Sequence, residues 1–323
     1  MKAVLVQEDK TLIWSDTTAP ESTPNSVTIE VKATAVNRAD LMQRKGVYPP
    51  PPGASDILGL ECAGIISAVG SEVSQWQVGD KVCALLSGGG YAESVVCDQG
   101  HVLPIPDGFS FEDAAALPEV FATAWLNIYQ EAGIKAGQSV LLHAGASGVG
   151  TAAIQLCKAF GQTCYVTVGS SEKLEECLAL GAMGGCNRHE SRFIDHVKSW
   201  TNGQGFDAIL DPVGGEYLED NIRSLNTDGA LVVIGIMGGR SNTLDLGRLL
   251  VKRLRVVGST LRSRDDAFKT ALISDLKEQV WPLFSAGTLK PIIHKVYDIQ
   301  EVERAHGELS DNATTGKLVL AIR

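Results

Sequence analysis

Apolar and polar positions alternate over short stretches throughout the first hundred residues. In segment 26–36, valine, isoleucine and alanine occupy every second position, and threonine, glutamate and lysine lie between them. This is the period of a strand with one buried face. The runs CAGIISAVG, DKVCALL and YAESVVC are also short, β-rich and punctuated by glycine. Many short strands without intervening helices predict a barrel-like β unit.

A different pattern begins near Phe111. The stretch SFEDAAALPEVFATAWLNIYQ has the spacing of helices, with Ser110 as a candidate N-cap and Pro118 as a break. After it, apolar runs such as VLLHA and LVVIGI alternate with helical segments and show no polar face. Such strands predict a parallel sheet with crossover helices. The tail has a helical stretch, 264–284, and two strand-like runs. The pattern leaves open whether this tail completes the first unit or forms a separate cap.

Composition narrows the class of protein. The 323 residues, of which 44% are hydrophobic and 20% charged, suggest about two globular domains. A net charge of −10 disfavours nucleic acid or an anionic membrane as the main partner, because basic surfaces bind phosphates. No apolar run approaches the roughly 18 residues of a membrane span, and MKAVLVQEDK has the pattern of a first strand, so we expect a cytoplasmic protein. The seven cysteines include no C-x-x-C pair, which predicts reduced, mostly buried thiols.

The strongest chemical signal is the stretch VLLHAGASGVGTAAIQL. It places Gly145, Gly148 and Gly150 between an apolar strand and an amphipathic helix. A pyrophosphate needs close backbone approach, free N–H groups and the positive end of a helix dipole, and this turn supplies all three. The alternative is a tight turn without a ligand, which the surrounding strand–helix–strand pattern disfavours. The turn therefore predicts a dinucleotide site.

The end of the following strand distinguishes between dinucleotides. NAD sites usually carry an acid about 20 residues after the first glycine, where it holds the ribose hydroxyls. Here the strand ends in TVGSSEK, so Gly169, Ser170 and Lys173 surround that position. Small residues, hydroxyls and a cation suit a 2′-phosphate and predict NADP(H). Two alternatives stay open, namely that Ser170 is only a helix cap and Lys173 only a surface charge. Glu172 suits either a ribose contact or the first turn of any helix.

Segment 247–264, GRLLVKRLRVVGSTLRSR, has six basic residues and no acid within an acidic protein. A charged helix face accounts for Lys252 and Arg253. Arg262 and Arg264 follow a strand-like run, and strand ends lie at the ligand edge of a parallel sheet. These two arginines are therefore candidates for phosphate or carboxyl contacts.

Several of these motifs together resemble the medium-chain dehydrogenase/reductase superfamily. They are the β-rich start, GLECAG, GASGVGTAAIQL, IGIMGG and the closing GKLVL, and the resemblance covers essentially the whole chain. The stretch NRADLMQRKGVYPPPPGASDILGLE is similar to zinc-free NADPH:quinone oxidoreductases, and most similar to the branch whose mammalian member is induced by a tumour suppressor. The resemblance implies an α/β fold with two domains. These are a GroES-like β-rich catalytic domain, 1–118 with 260–323, and a doubly wound Rossmann domain, 119–259, with the substrate in the cleft between them.

The chain departs from the zinc enzymes of this superfamily at two ligand positions. Asn37 stands where they carry a cysteine, and Leu60 stands where they carry a histidine, just before Glu61. An amide and an isobutyl group cannot replace a thiolate and an imidazole, so we expect no metal. The cysteine-rich lobe of the zinc enzymes is also missing.

The resemblance assigns segment 37–53, NRADLMQRKGVYPPPPG, to the wall of the substrate cleft. Asn37 and Tyr48 are the implied catalytic residues. The Asn37 amide would donate to a carbonyl oxygen or orient the cofactor, and Tyr48 would reach into the cleft from a loop stiffened by four prolines. Asp40 either caps a helix or orients its neighbours. The alternative function of the proline run, a ligand for a partner domain, is disfavoured because the run is short.

The same resemblance implies the cofactor contacts. Residues 147–150 would hold the pyrophosphate, 169–173 the adenosine phosphate, and 235–237 the nicotinamide carboxamide. Arg188 stands where relatives have a tyrosine beside the adenine, and stacking or phosphate pairing both stay open. The implied cofactor-binding residues are Thr123, Ser147, Gly148, Val149, Gly150, Gly169, Ser170, Lys173, Arg188, Gly235, Ile236, Met237, Gly258, Ser259, Leu261 and Lys317.

The expected reaction is hydride transfer from NADPH to a quinone without a metal. Two alternatives remain: a reductase of 2-enals or enoyl thioesters, and a protein that binds NADPH as a sensor with little turnover. Relatives pair through edge strands of the Rossmann sheet, which implies a homodimer with its interface near LDLGRLLVKRLRVVG.

Overall fold

Two units make up the chain in this computed structural model, which describes residues 1–323. One unit is discontinuous and consists of Met1–Ala122 and Leu261–Arg323, and the other is the segment Thr123–Thr260. None of the helices combines the length and hydropathy that a membrane-spanning helix needs.

Strands and helices follow one another in a changing order along the chain. The strands are β1 (Lys2–Val6), β2 (Leu12–Asp16), β3 (Ser26–Val36), β4 (Glu61–Val69), β5 (Lys81–Leu85), β6 (Ser94–Asp98), β7 (Val102–Pro104), β8 (Ser139–Leu142), β9 (Thr163–Val168), β10 (Gly184–Asn187), β11 (Phe206–Asp211), β12 (Leu225–Val233), β13 (Arg255–Gly258), β14 (Ile293–Asp298) and β15 (Lys317–Ala321). The helices are α1 (Arg38–Arg44), α2 (Phe111–Ala115), α3 (Pro118–Trp125), α4 (Gly148–Ala159), α5 (Ser171–Leu180), α6 (Val197–Trp200), α7 (Leu218–Ser224), α8 (Leu246–Val251), α9 (Asp266–Gln279), α10 (Trp281–Ser285) and α11 (Val302–Ser310).

The discontinuous unit is built on a seven-stranded sheet. Its order is β14-β15-β3-β4-β5-β7, and β6 also pairs with β3. On β3 the side chains of Val27, Ile29 and Val31 are buried in one apolar cluster, as the alternating pattern predicts. The tail joins the same sheet because β15 pairs antiparallel with β3, with Leu318 opposite Val36. This pairing answers the question that the pattern left open: the tail completes the first sheet.

The continuous unit contains a six-stranded parallel sheet of order β10-β9-β8-β11-β12-β13. The chain runs outward from β8 to β10 on one side, then returns and runs outward from β11 to β13 on the other. The strand order therefore reverses between β8 and β11, which is the switch point where ligands bind in doubly wound sheets. The predicted α/β fold, a Rossmann-type parallel sheet together with a β-rich unit, is confirmed.

Helix boundaries follow local chemistry. Ser110 caps α2 through its hydroxyl, which accepts a hydrogen bond of 3.0 Å from the Asp113 N–H, and α3 begins at Pro118 as predicted. The prediction of one helix over 264–284 is wrong in detail, because α9 ends at Gln279 and α10 starts at Trp281. Pro282 lies in the first turn of α10, and its lack of an N–H prevents a continuous helix there. The π-helical turn Leu126–Glu131 was not predicted.

Candidate active site

The glycine-rich turn connects β8 to α4. Ala144 in this turn has a left-handed backbone with φ of 53°. A Cβ on Gly150 would lie 2.4 Å from the Gly145 carbonyl oxygen, and a Cβ on Gly145 would lie 2.6 Å from the Cβ of Val166. Both positions therefore require glycine so that the helix can approach the turn and the neighbouring strand.

The first turn of α4 is open to solvent at its N-terminus. Ser147 is exposed and caps the helix, with its hydroxyl accepting a hydrogen bond of 3.0 Å from the Gly150 N–H. The N–H groups of Gly148 and Val149 lie in a first turn that offers no intrahelical acceptor. The predicted residues 147–149 thus present free donors at the positive end of a twelve-residue helix, and the N–H of the buried Gly150 is bonded to the Ser147 hydroxyl. This surface fits a pyrophosphate.

Two cations meet beside this turn, at the ends of β9 and β10. A Cβ on Gly169 would lie 3.7 Å from Nη2 of Arg188, so the guanidinium stands next to the predicted small residue. Burial lowers the pKa of Lys173, and the nearby positive charge of Arg188 lowers this pKa further. Two like charges held near each other suit a dianionic group such as a phosphate monoester.

Ser170 is a helix cap, which was one of the two interpretations left open. Its hydroxyl oxygen accepts from the Lys173 N–H at 3.3 Å. A hydrogen bond from Ser170 also lowers the pKa of the Glu172 carboxyl. The Ser170 hydroxyl is therefore bonded within its own turn. Among the residues at this strand end, the cations Lys173 and Arg188 are better suited than Ser170 to select a phosphate.

Further predicted contacts lie at the carboxyl ends of β12 and β13. Gly235 is packed so closely that a Cβ would lie 2.6 Å from the Pro212 carbonyl oxygen. Ile236 and Met237, which follow it, are exposed. Val233 on β12 is opposite Gly258 on β13, and the buried Ser259 that follows has a hydroxyl without a hydrogen-bond partner. Adjacent parallel strands thus bring these segments to the same sheet edge.

Two other predicted residues are buried in their own units. Thr123 is 9% exposed, and its carbonyl oxygen accepts from the Asn127 side chain at 2.7 Å. Leu261, the first residue of the discontinuous unit's second segment, is 7% exposed.

Lys317, Asn37 and Glu61 form a buried polar cluster in the discontinuous unit. The Lys317 ammonium donates to the Val36 carbonyl oxygen at 3.0 Å and to Asn37 Oδ1 at 2.6 Å, and it lies 2.8 Å from Glu61 Oε1. Asn37 Nδ2 donates to Glu61 Oε1 at 3.0 Å and to the Ala35 carbonyl oxygen at 3.3 Å. The second Glu61 oxygen accepts from a backbone N–H, that of Glu119, at 2.9 Å. Lys317 and Glu61 are 4% and 0% exposed in their side chains.

This cluster fixes two predicted residues. All three N–H donors of Lys317 are engaged within the protein, by Val36, Asn37 and Glu61. Both Asn37 amide hydrogens are engaged as well, so the side chain is held in one orientation. Sequence reasoning noted Glu61 but gave it no role. A lone acid in the apolar run GLECAG was the available signal, because a buried carboxylate needs a partner.

The same cluster bears on whether the chain can hold zinc. Zinc sites in proteins use thiolates, imidazoles and carboxylates. At the two positions where the resemblance implies metal ligands, this chain has the amide of Asn37 and the buried side chain of Leu60, and the Lys317 ammonium already places a positive charge against Glu61. No group of three or more His, Cys, Asp or Glu side chains is close enough together to hold a metal ion. These residues do not fit a zinc ion.

Tyr48 lies half-buried beside Arg262. The guanidinium carbon of Arg262 is 5.6 Å from the centroid of the Tyr48 ring. Arg262 Nε donates to the Ser87 carbonyl oxygen at 2.8 Å, and Nη2 donates to Gln43 Oε1 at 2.7 Å. Burial raises the pKa of Tyr48, and the positive charge of Arg262 opposes that rise. Burial outweighs this charge, so the phenol holds its proton more tightly than a free tyrosine, and the fixed cation offsets part of the cost of losing it.

Asp40 stabilises the segment that connects Asn37 to Tyr48. Its carboxylate accepts from the Asn37 N–H at 2.7 Å, which caps α1, and from the Gly59 N–H at 3.0 Å. The predicted capping role is confirmed, and Asp40 also receives a hydrogen bond of 3.3 Å from the Tyr91 hydroxyl. Arg38 Nη2 donates to the Asn312 side-chain oxygen at 2.7 Å on the surface.

Two known families match this chain. The alcohol dehydrogenase GroES-like domain matches residues 23–107, and the zinc-binding dehydrogenase family matches residues 148–278. The first match lies in the discontinuous unit, and the second begins at the first residue of α4.

Similar proteins extend over the whole chain. The quinone oxidoreductase of Sus scrofa is 30% identical over 96% of this chain and 93% of its own length. The synaptic vesicle membrane protein VAT-1 homolog of Danio rerio is 31% identical over 93% of this chain, and the match spans 65% of that protein. Among solved structures, the Escherichia coli quinone oxidoreductase complexed with NADPH has a TM-score of 0.87 and 28% identity, covering 99% of this chain and 98% of that one. The CurK enoyl reductase also has a TM-score of 0.87, with 30% identity, covering 100% and 99%.

Proposed function

The chain belongs to the medium-chain dehydrogenase/reductase superfamily, and from that premise we propose that it is a zinc-independent, NADPH-dependent quinone oxidoreductase. The observation that carries the proposal is the buried cluster of Lys317, Asn37 and Glu61, in which an ammonium and an amide surround the carboxylate instead of further metal-binding side chains. The same chain retains the glycine-rich turn that a dinucleotide needs. Full-length similarity to a quinone oxidoreductase at 30% identity supports the choice of acceptor. Within the family we propose the tumour-suppressor-inducible branch for this chain, on the motif in segment 37–61.

NADP(H) is the proposed cofactor, and a structural neighbour complexed with NADPH supports it. Residues 147–150 would hold the pyrophosphate at the α4 N-terminus. Lys173 and Arg188 would hold the 2′-phosphate, a group that NADH lacks, beside Gly169 and Ser170. The remaining proposed contacts are Thr123, Gly235, Ile236, Met237, Gly258, Ser259 and Leu261.

The residue chemistry of the cluster supports zinc-independent reduction. A zinc enzyme polarises its substrate oxygen with a divalent cation. Here the only cation of the cluster, the Lys317 ammonium, has all of its donors engaged and supports Asn37 instead. We assign Asn37 to the wall of the acceptor site, where a fixed amide orients the ligands that bind against it.

When bound, the reduced nicotinamide supplies a hydride, that is, two electrons and one hydrogen. The acceptor then needs one proton to become a hydroquinone, and we assign that proton to the Tyr48 hydroxyl. Arg262 stabilises the phenolate that remains, since its positive charge lies over the ring. The phenolate recovers a proton from water, which closes the cycle without a further reactant.

A second candidate function is the reduction of 2-enals or enoyl thioesters. The similarity to the CurK enoyl reductase, at 30% identity over the whole chain, favours it. Hydride transfer to a β-carbon also leaves an oxyanion that requires a proton nearby. The two functions therefore share the site and differ in the acceptor.

The experiment that tests the proposal follows NADPH oxidation by absorbance. The acceptors are ortho-quinones, para-quinones and 2-enals, and NADH is run in parallel. Faster turnover on quinones than on enals, with NADPH preferred, is expected. Faster turnover on enals would favour the second function. Tight NADPH binding without turnover on any acceptor would contradict both and favour a sensor.

Replacing Tyr48 with phenylalanine tests the proton donor. We expect Tyr48→Phe to lower kcat on quinones by about tenfold or more, because general acid catalysis contributes at least that much. The dissociation constant for NADPH, measured by fluorescence, should not change. Tyr297→Phe is the matched control, since that hydroxyl bonds to Glu308 in the same unit. Weakened NADPH binding in Tyr48→Phe would instead make Tyr48 a cofactor contact.

The proposed quaternary state is a homodimer formed through β13, the outer strand of the parallel sheet. An open strand edge is a natural pairing surface for a second copy of the same chain.

A further inference from the structure

Two deeply buried cations converge on Ser87 in the discontinuous unit. Arg262 is 6% exposed and Lys269 is 3% exposed. Arg262 Nε donates to the Ser87 carbonyl oxygen, and the Lys269 ammonium donates to the Ser87 hydroxyl at 2.7 Å. The remaining hydrogen-bond acceptor of the pair is the amide oxygen of Gln43. Every acceptor that these two cations contact is therefore neutral.

Arg262 also retains an unused donor. Its Nη1 is buried and has no hydrogen-bond partner. Leaving a charged donor unpaired in the interior costs several times what a neutral hydrogen bond contributes, so such a group normally has a ligand. Arg264, the other candidate of this segment, lies over the ring of Phe268 at 4.5 Å. The buried donor thus singles out Arg262.

Acidic groups act on this pair through space. Burial lowers the pKa of Arg262, and Asp40 and Glu119 oppose that effect. Burial likewise lowers the pKa of Lys269, and Asp266 and Glu119 oppose that effect. These carboxylates reduce the cost of the two charges without occupying the Nη1 donor. An anion that bound there would add the direct pairing that the pair lacks.

The position of the pair relates it to the proposed reaction. The Arg262 guanidinium lies over the ring of Tyr48, which is half-buried rather than part of the core. A ligand that contacts the Tyr48 side chain is therefore adjacent to the guanidinium. A planar fork of N–H donors suits a carboxylate, sulfonate or phosphate.

We propose that Arg262 and Lys269 form an anion-binding subsite beside Tyr48, and that the acceptor of this enzyme carries a permanent negative charge. The identity of the ligand as an acceptor rests on the proposed function, whereas the subsite itself rests on the buried cations alone. Both cations are buried before any reaction begins, so they need a negative partner in the resting protein. A ligand with a permanent negative charge therefore suits them better than a ligand that becomes negative only during turnover.

A turnover experiment tests the preference for an anionic acceptor. The probes are 1,4-naphthoquinone and its 2-sulfonate, and the quantity compared is the ratio of their kcat/KM values. We expect Arg262→Gln to lower the sulfonate-to-neutral ratio by about tenfold or more, as loss of one desolvated charge pair does. A loss shared by both quinones reports the role of Arg262 beside Tyr48 and leaves the ratio unchanged. A ratio equal to that of the unmodified protein would overturn the subsite, whatever the size of that shared loss.

Lys269→Met is the second variant, and Lys277→Met is its control. Both lysines lie on α9, and the control removes an exposed ammonium that sits over Trp76, away from Ser87. The ratio should fall in Lys269→Met and remain unchanged in Lys277→Met. If Arg262→Gln does not fold, as judged by its thermal midpoint, Lys269→Met carries the test alone. A fall of the same size in the control would overturn the proposal.

A binding experiment separates this inference from the proposed function. Naphthalene-2-sulfonate and naphthalene-2-sulfonamide have nearly the same shape, differ in charge and cannot be reduced by a nicotinamide. Titration calorimetry should show at least about tenfold tighter binding of the sulfonate, and Arg262→Gln should abolish the difference. This result would support the subsite even if no quinone were reduced. Equal affinity for the two compounds would overturn it even if quinones were reduced rapidly.

Discussion

Tyr91 joins two buried groups whose protonation has opposite effects on stability. Its hydroxyl lies 3.3 Å from Asp40 Oδ2 and 3.2 Å from His306 Nε2. Burial raises the pKa of Asp40 to about 6, and burial lowers the pKa of His306 to about 3. In both cases the interior favours the neutral form.

The two shifts produce pH dependences of opposite sign. The folded Asp40 carboxyl keeps its proton more tightly than the unfolded one, so its contribution is full below pH 3.8 and is lost as the pH rises through about 6. Folded His306 resists protonation, so its contribution is full above pH 6.5 and is lost as the pH falls towards about 3. Each contribution changes by about 1.4 kcal/mol per pH unit, and the two cancel between about pH 4 and 6.

Replacing His306 with glutamine should expose the Asp40 contribution. We expect the free energy of unfolding of His306→Gln, relative to the unmodified protein, to fall by about 1.4 kcal/mol for each unit of rising pH between 4 and 6. Urea unfolding followed by circular dichroism measures this difference. A difference that stays constant with pH would show that His306 does not resist protonation in the folded state.

Single residues also show where sequence reasoning stopped. Asn37 could be singled out from the sequence, because the resemblance places it where the zinc enzymes carry a cysteine. Its partner Lys317 is 280 residues away along the chain and reaches it because β15 pairs with β3. No periodicity or local motif predicts such a pairing. The orientation of the Lys317 side chain therefore became visible only in the structure.

At the scale of elements, the ends of two adjacent parallel strands bring Lys173 and Arg188 together. Lys173 lies in the first turn of α5 after β9, and Arg188 follows β10. We expect Lys173→Gln or Arg188→Gln to raise KM for NADPH by about tenfold, since each cation would pair with the 2′-phosphate. KM for NADH should change little, because NADH has no phosphate there.

The control for this prediction is Lys198→Gln, an exposed lysine on α6. It removes the same charge elsewhere in the same unit, so KM for both cofactors should stay constant. Equal increases of KM for NADPH and NADH in the Arg188 variant would indicate a contact with the adenine rather than with the phosphate. That outcome would settle which of the two roles Arg188 has.

Elements with strong local signals were predictable. The strand β3 has the predicted bounds, because its alternating pattern runs up to the helix cap Asn37 and determines it locally. The break between α9 and α10 was missed, although Pro282 signals it, because apolar residues continue on both sides. The π-helical turn Leu126–Glu131 has no comparable signal, since one additional residue per turn arises from packing.

At the scale of the whole molecule, the hydrophobic pattern alone did not determine to which unit the tail belongs. A tail with two strand-like runs fits either a separate cap or the first sheet. In the structure β15 is inserted between β14 and β3, so the sheet contains strands from both ends of the chain. Pairing over such a distance depends on loop closure and global packing rather than on local sequence. Only the resemblance to a known family predicted it.

The outer strand of the parallel sheet adjoins an exposed apolar cluster. Leu246, Leu250 and Val251 on α8 are 66%, 78% and 77% exposed, and Val256 on β13 is 43% exposed. Large exposed aliphatic side chains beside an unpaired strand edge are typical of a surface that a second subunit covers. This is the proposed dimer interface.

We expect the protein to have the mass of a dimer in solution, and Leu250→Glu to reduce that mass to one chain at micromolar concentration. A carboxylate introduced into an apolar interface is desolvated without a partner, which costs several kcal/mol per subunit. Light scattering coupled to size-exclusion chromatography measures the mass, and NADPH binding reports whether the fold persists. Leu178→Glu is the matched control, since Leu178 is an exposed leucine on α5 in the same unit, outside the cluster. Dimeric Leu250→Glu, or a monomeric unmodified protein, would place the interface elsewhere or remove it.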